Sequence, residues 1–291
     1  MRNEAGAVTP GGDRTARGDD VDDALLAAVE DAIRAVVAEE VLPRWRKLSD
    51  GDVVEKNGPN DLVTVADRRA EERLTERLTA LLPGSVVVGE EAVSADASVL
   101  ERLGGDAPVW VIDPIDGTAA FVRGEDGFAT LVALVRHGEP LASWTYGPRR
   151  GLFATARRGR GAHLGGERLR TRTGAPGEPL RLWTSNPVYR TGYEREVLGR
   201  LAASGAQCSP CTCAGLAYLD VARGDMDGVA FFWEAPWDHA AGLLLAAEAG
   251  GVSLTSSGAP FRIPGGNTLP FALARDEATV REVVAVMGEQ R

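Results

Sequence analysis

A chain of 291 residues with 44% hydrophobic content is long enough to bury one large core or two ordinary ones. Its net charge of −10 argues against nucleic acid as the main partner, because a phosphate backbone calls for a basic face. The first twenty residues lack an apolar h-region, and no later apolar run approaches the roughly 20 residues of a spanning helix, so a cytoplasmic protein without a membrane segment is expected.

Residues 1–22, rich in Gly, Asp, Arg and Thr without periodicity, read as a disordered N-terminal tail. From Asp23 the pattern changes: Leu25, Val29, Ile33 and Val36 recur at three- and four-residue steps, the stripe of an amphipathic helix. A second helix is expected after Asp67, with Ala70, Leu74, Leu78, Leu81 and Leu82 on one side and Pro83-Gly84 as its stop. Short strands bounded by turn residues follow at Ser85–Val88, Val109–Ile112, Ala129–Val135, Leu141–Thr145 and Gly151–Ala156. So many strands in succession predict a largely antiparallel or mixed sheet. Past residue 180 come a helix around Gly215–Ala222, a strand near Gly228–Phe232 and a helix from Trp237 to Ala249. No repeat or linker is visible, so residues 23–291 read as one α/β domain with sub-lobes of about 23–180 and 181–291.

Cys208, Cys211 and Cys213 sit in one short stretch. An odd count without a secretory signal argues against a disulfide framework, and a closed zinc site wants four ligands where only three histidines exist in the chain. Reduced, buried thiols are expected.

Three acidic clusters stand out by position. Glu90-Glu91 follows the strand Val86–Val88, Asp113-Pro114-Ile115-Asp116-Gly117-Thr118 follows Val109–Ile112, and Asp238 opens an apolar helix. Strand ends and helix starts are where α/β folds gather ligand-binding groups. Each cluster has a plainer reading: a solvated turn for Glu90-Glu91, a strand-terminating turn for Asp113-Pro114, an N-cap for Asp238. Gathered in one cleft, however, ionised carboxylates need a cation, and oxygen-only ligands suit a hard one such as Mg²⁺, Mn²⁺ or Ca²⁺.

In order along the chain, Asp67, the pair Glu90-Glu91, Asp113 to Thr118 and Trp237-Asp238-His239-Ala240-Ala241-Gly242 resemble the signature of the inositol monophosphatase family, within a superfamily of lithium-sensitive, metal-dependent phosphatases. The similarity runs from about residue 23 to 285. It implies a layered αβαβα sandwich, a homodimer, and a phosphomonoesterase acting on a small phosphate ester such as an inositol monophosphate with two to three Mg²⁺ ions. By that likeness Glu90, Asp113 and the Ile115 carbonyl hold one ion, Asp113, Asp116 and Asp238 a second, and Glu90 with waters a third. Asp67 and Thr118 orient and deprotonate the attacking water, and the Gly117 and Thr118 amides bind phosphate beside Asp116 and Asp238. Glu91 ranks below Glu90, and Lys56 matches a lysine near the family's active-site loop.

The second lobe departs from the pattern. Phe231 stands where relatives carry a Glu for inositol hydroxyls, Cys213 lies in an altered substrate loop, and Glu234 offers a displaced polar contact. Inositol specificity is therefore open. Fructose 1,6-bisphosphate, histidinol phosphate or a 3′-phosphonucleotide are alternative substrates, the last two on stacking against Phe231. A member that has lost catalysis and acts as a regulatory binding protein is the reading from another class.

Overall fold

The computed structural model describes residues 21–56, 62–175, 177–189 and 191–288. Residues 1–20 of the expected tail lie outside them, whereas Val21 is buried and Asp22 caps the first helix. That helix, α1 (Asp23–Val36), starts where the Asp22 carboxylate accepts from the Leu25 amide at 2.7 Å, and it buries Val29, Ile33 and Val36. A short hairpin, β1 (Val53–Glu55) and β2 (Leu62–Thr64), leads into α2 (Val65–Leu81). Thr64 and Asp67 form a reciprocal capping box there, so α2 begins two residues before Asp67 and holds it inside its first turn.

The first sheet runs β3 (Val86–Gly89), β4 (Val109–Asp116), β5 (Ala129–Arg136), β6 (Glu139–Gly147), β7 (Leu152–Arg157), β8 (Gly161–Leu164) and β9 (Glu167–Arg168), in that order across it. Only β3 and β4 pair in parallel, so the sheet is mixed as expected. Between its strands lie α3 (Glu90–Ala95) and the single-turn α4 (Thr118–Val122). A second sheet follows, built from β10 (Arg181–Thr184), β11 (Gln207–Pro210), β12 (Gly228–Phe231), β13 (Val252–Thr255) and β14 (Phe271–Ala274) in the order β11-β10-β12-β14-β13. Its helices are α5 (Gly192–Ala203), α6 (Ala214–Ala222), α7 (Pro236–Glu248) and α8 (Glu277–Gly288).

Side-chain packing orders these elements into five layers. Val29 and Ile33 of α1 and Leu74 of α2 pack with Trp110, Ile112 and Val132 on one face of the first sheet. Val109, Val111 and Leu131 on the other face meet α6 and α7, which also cover Val229 and Leu273 of the second sheet. Helices α5 and α8 close that sheet's far side around Leu182, Val197 and Val283. The αβαβα sandwich thus has α6 and α7 as its middle layer. It explains why α7 is apolar almost all round: both faces of the helix meet a sheet.

One irregularity positions chemistry. Asp113 pairs with Leu131 and Asp116 with Ala129, so β4 spends three steps where β5 spends two. In a regular strand Asp113 and Asp116 would point to opposite faces. The extra residue turns Ile115 into the α1–α2 core and leaves both aspartates on the middle-layer side. Pro114, which cannot donate to a ladder, sits at this bulge, so the strand runs through the proline instead of ending before it. A second device ties the segment after β9 to the second sheet: buried Asp227 accepts from Arg172 at 3.0 Å, from Arg275, and from the Arg181 amide at 2.8 Å.

Candidate metal centre

Carboxylates from both halves converge at one end of the first sheet. Asp113 and Asp116 come from the β4 bulge and Asp238 from the first turn of α7, and one ligand oxygen from each lies within 4.8 Å of the others. Asp238 is therefore no N-cap, since Ala235 occupies that place and Pro236 starts the helix. The three line a cleft of about 480 Å³ with Glu90, Ile115, Gly117 and Thr118.

Each carboxylate is held by groups that favour its ionised form, against an environment that disfavours it. Burial, then repulsion from Glu90, Asp116 and Asp238, drives Asp113 far above the ordinary carboxylate range. Burial also raises Asp116, although amides of Gly215 (2.6 Å) and Ala214 (3.1 Å) and the Cys213 thiol (3.1 Å) donate to it and oppose the rise. Asp238 is pushed up to about 7 by burial and by Asp116. Glu90 reaches about 8, chiefly through burial, although Lys56 opposes the rise. Oxygen donors crowded this way fit a hard divalent cation, whose charge would remove the repulsion.

Glu90 and Glu91 are not a solvated turn. They open α3, and the Lys56 ammonium reaches Glu90 at 2.8 Å and Glu91 at 2.7 Å. Burial works against the Lys56 charge, but the two carboxylates win and raise its pKa. Behind them Glu71, one turn along α2 from Asp67, accepts from the Glu91 and Ala92 amides at 2.8 Å each. A Cβ on Gly89 would lie 2.3 Å from the Glu71 carboxyl carbon, so a glycine there lets the turn close on it.

Asp67 and Thr118, far apart in sequence, meet here: Thr118 Oγ1 lies 3.4 Å from Asp67 Oδ1 and 3.0 Å from the Ile115 carbonyl. Burial lifts Asp67 to about 6, with Thr64 hydrogen bonds resisting. Gly117 takes φ +88°, and a Cβ there would fall 2.8 Å from the Gly127 carbonyl and 2.9 Å from that of Thr212. Only glycine fits this αL position at the mouth of the cleft.

The three residues proposed for specificity fare differently. Cys213 lines the cleft, but its thiol is spent on Asp116 and on capping α6. Phe231 does not reach the cleft; it is fully buried at the end of β12, against Tyr218, Trp233, His239 and Phe271. Glu234 turns away too, accepting from the Asn267 amide and side chain at 2.9 Å each. Sequence reasoning missed the side chains that do form the wall: Trp233, Ser185, Asn186, Glu194 and Leu62. For Glu194 a signal existed, the Thr191-x-x-Glu194 capping box of α5. Cys208 and Cys211 are only half-buried, and Cys211 faces the cleft with burial raising it to about 12.

A five-layered sandwich with a bulged strand thus delivers to one cleft a cluster of carboxylates that could hold a metal ion. The family model for the inositol monophosphatase family matches residues 22–285, and the chain belongs to that family of phosphatases. It is 37% identical over 212 residues to an inositol-1-monophosphatase of Rhizobium meliloti, covering 70% of this chain and 76% of the relative. It is 33% identical over 226 residues to the Nus factor SuhB of Salmonella typhimurium, covering 76% and 82%. Among solved structures, the Thermotoga maritima IMPase superposes with a TM-score of 0.77 at 26% identity, covering 91% of this chain and 97% of that one. The extragenic suppressor protein suhB of Bartonella henselae gives 0.75 at 25%, covering 92% and 98%.

Proposed function

We propose that this protein is a Mg²⁺-dependent phosphomonoesterase hydrolysing a small phosphate ester. The observation that carries it is the convergence of Asp113, Asp116 and Asp238 from two lobes within 4.8 Å. Asp113, Asp116 and Asp238 would hold one ion, Glu90, Asp113 and the Ile115 carbonyl another, and Glu90 a weaker third. When bound, the ions supply a more acidic water and charge compensation for the phosphoryl oxygens. Thr118 Oγ1 accepts the attacking water's proton and passes its own to Asp67, which at about 6 is ionised at neutral pH. The Gly117 and Thr118 amides, at the start of α4, hold phosphate oxygens. The water oxygen bonds to phosphorus as the P–O bond to the ester oxygen breaks, and that oxygen takes a proton from solvent water, giving the alcohol and inorganic phosphate.

Substrate choice lies with the far wall. Trp233 there offers an aromatic face that Phe231 cannot, which favours an ester carrying a flat group over a bare polyol. Asn186 and Glu194 supply hydrogen-bonding groups opposite. By family likeness we extend the reading to a homodimer working in the cytoplasm; among the described residues no helix is long and apolar enough to cross a membrane.

The test is phosphate release with Mg²⁺ or EDTA from myo-inositol 1-phosphate, fructose 1,6-bisphosphate, histidinol phosphate and 3′-phosphoadenosine 5′-phosphate. Mg²⁺-dependent turnover, highest for the imidazole or adenine ester, is expected. Absence of Mg²⁺ binding together with no turnover would refute the reading and leave the chain a binding protein.

A further inference from the structure

We propose that Trp233 is a positioning residue that fixes the Asp238 carboxylate in the metal centre, braced from behind by a Tyr218–His239 relay. This rests on the metal-dependent reading above. Asp238 stands in the first turn of α7, where helix geometry alone leaves its carboxylate free to rotate. The Trp233 indole N–H removes that freedom, donating to Asp238 Oδ2 at 2.6 Å. A hydrogen bond to a carboxylate is charge-assisted, and a tryptophan can only donate, so the contact favours the ionised acid that a cation needs.

Trp233 is itself held on three sides. Phe231 packs against its ring at 4.6 Å between centroids and His239 at 5.3 Å. Its backbone carbonyl lies 3.0 Å from His239 Nε2. A carbonyl only accepts, so Nε2 carries the proton, and Nδ1 of the neutral ring accepts from the Tyr218 hydroxyl at 3.0 Å. The chain of contacts runs from α6 through α7 to the segment after β12, and returns to α7 at Asp238. Its geometry depends on Gly242: a Cβ there would lie 2.1 Å from the Tyr218 ring, so only a bare backbone lets Tyr218 reach His239. Tyr218 and His239 are fully buried and do not themselves line the cleft. Outer-sphere partners of this kind set how well a ligand is aimed and how tightly the ion binds.

Two substitutions on the full-length chain separate aiming from packing. Trp233→Phe keeps an aromatic ring and loses the N–H, while Tyr218→Phe keeps the ring and loses only the hydroxyl. Mg²⁺ binding is measured by titration calorimetry without substrate, beside thermal unfolding in EDTA. Wild type should bind Mg²⁺, Trp233→Phe should bind it about tenfold more weakly, and Tyr218→Phe should shift in the same direction by about threefold, with unfolding temperatures in EDTA little changed. Unaltered affinity in both variants, whatever happens to the unfolding temperature, would make Trp233 a packing residue and overturn the proposal. Should Trp233→Phe not fold, Tyr218→Phe alone decides by the same criterion. Failure of the wild type to bind Mg²⁺ would instead sink the metal reading itself, and this inference with it.

Discussion

The crowding of Asp113 with its neighbours has a measurable cost in the metal-free protein, and Asp113→Asn exposes it. The substitution leaves an oxygen to accept from the Ile115 amide, which meets Asp113 Oδ1 at 3.0 Å, so the bulge keeps its internal bond. What it removes is charge. At separations up to 4.8 Å and an effective dielectric near 20, two ionised carboxylates repel by about 3 kcal/mol. Because protonation relieves part of this, a net gain of about 2 kcal/mol is expected for Asp113→Asn in EDTA at pH 8.5. The sign follows from the raised pKa values. Glu90 at about 8 and Asp238 at about 7 keep protons in the folded chain that the unfolded chain has released above about 4.5. Stability of the wild type therefore falls as pH rises through that window. Urea unfolding in EDTA at pH 5.5 and 8.5 should show the variant's advantage growing with pH. Added Mg²⁺ should stabilise the wild type, leave the variant nearly unchanged, and rescue none of its lost phosphatase activity. A variant no more stable than wild type at pH 8.5 in EDTA would refute the electrostatic account of the site.

Two further substitutions probe other parts of the argument. Thr118→Ala should lower kcat about a hundredfold with little change in KM, as steady-state kinetics would show; a pure KM effect would mean that Thr118 only binds substrate. Asp227→Asn should cost about 3 kcal/mol in urea unfolding, because it leaves Arg172 and Arg275 beside a neutral group where the segment after β9 meets the second sheet.

The first half of the fold was legible because its periods are clean. The Leu25–Val36 stripe lies in a helix with one partner layer, the β-branched runs are bounded by turn residues, and their boundaries fall within a few residues of the expectation. The second half was less so. Strands β10 and β11 are four residues each, and β11 reads Gln-Cys-Ser-Pro, which carries no hydrophobic alternation. The carboxylates were visible because the string from Asp113 to Thr118 is long and unusual. Phe231 and Glu234 were misplaced for a different reason. Counting positions back from Asp238 fixes sequence distance, not the direction in which a strand end turns, and here Trp233 takes the place at the cleft. Nothing local in the sequence ties an indole to Asp238 five residues on; that contact exists only once α7 has packed between the sheets.

The β4 bulge also makes the site sensitive to strand register in a way that side-chain chemistry does not reveal. Flattening the bulge without shortening the chain would restore an unbroken ladder with β5. It would also swing Asp116 toward the α1–α2 core, away from Asp238 and the start of α6. Deleting one residue there would instead keep both acids on one face, two positions apart in a regular strand. The centre is an irregularity kept on purpose: the sheet gives up one rung so that two acids three positions apart can face the same way.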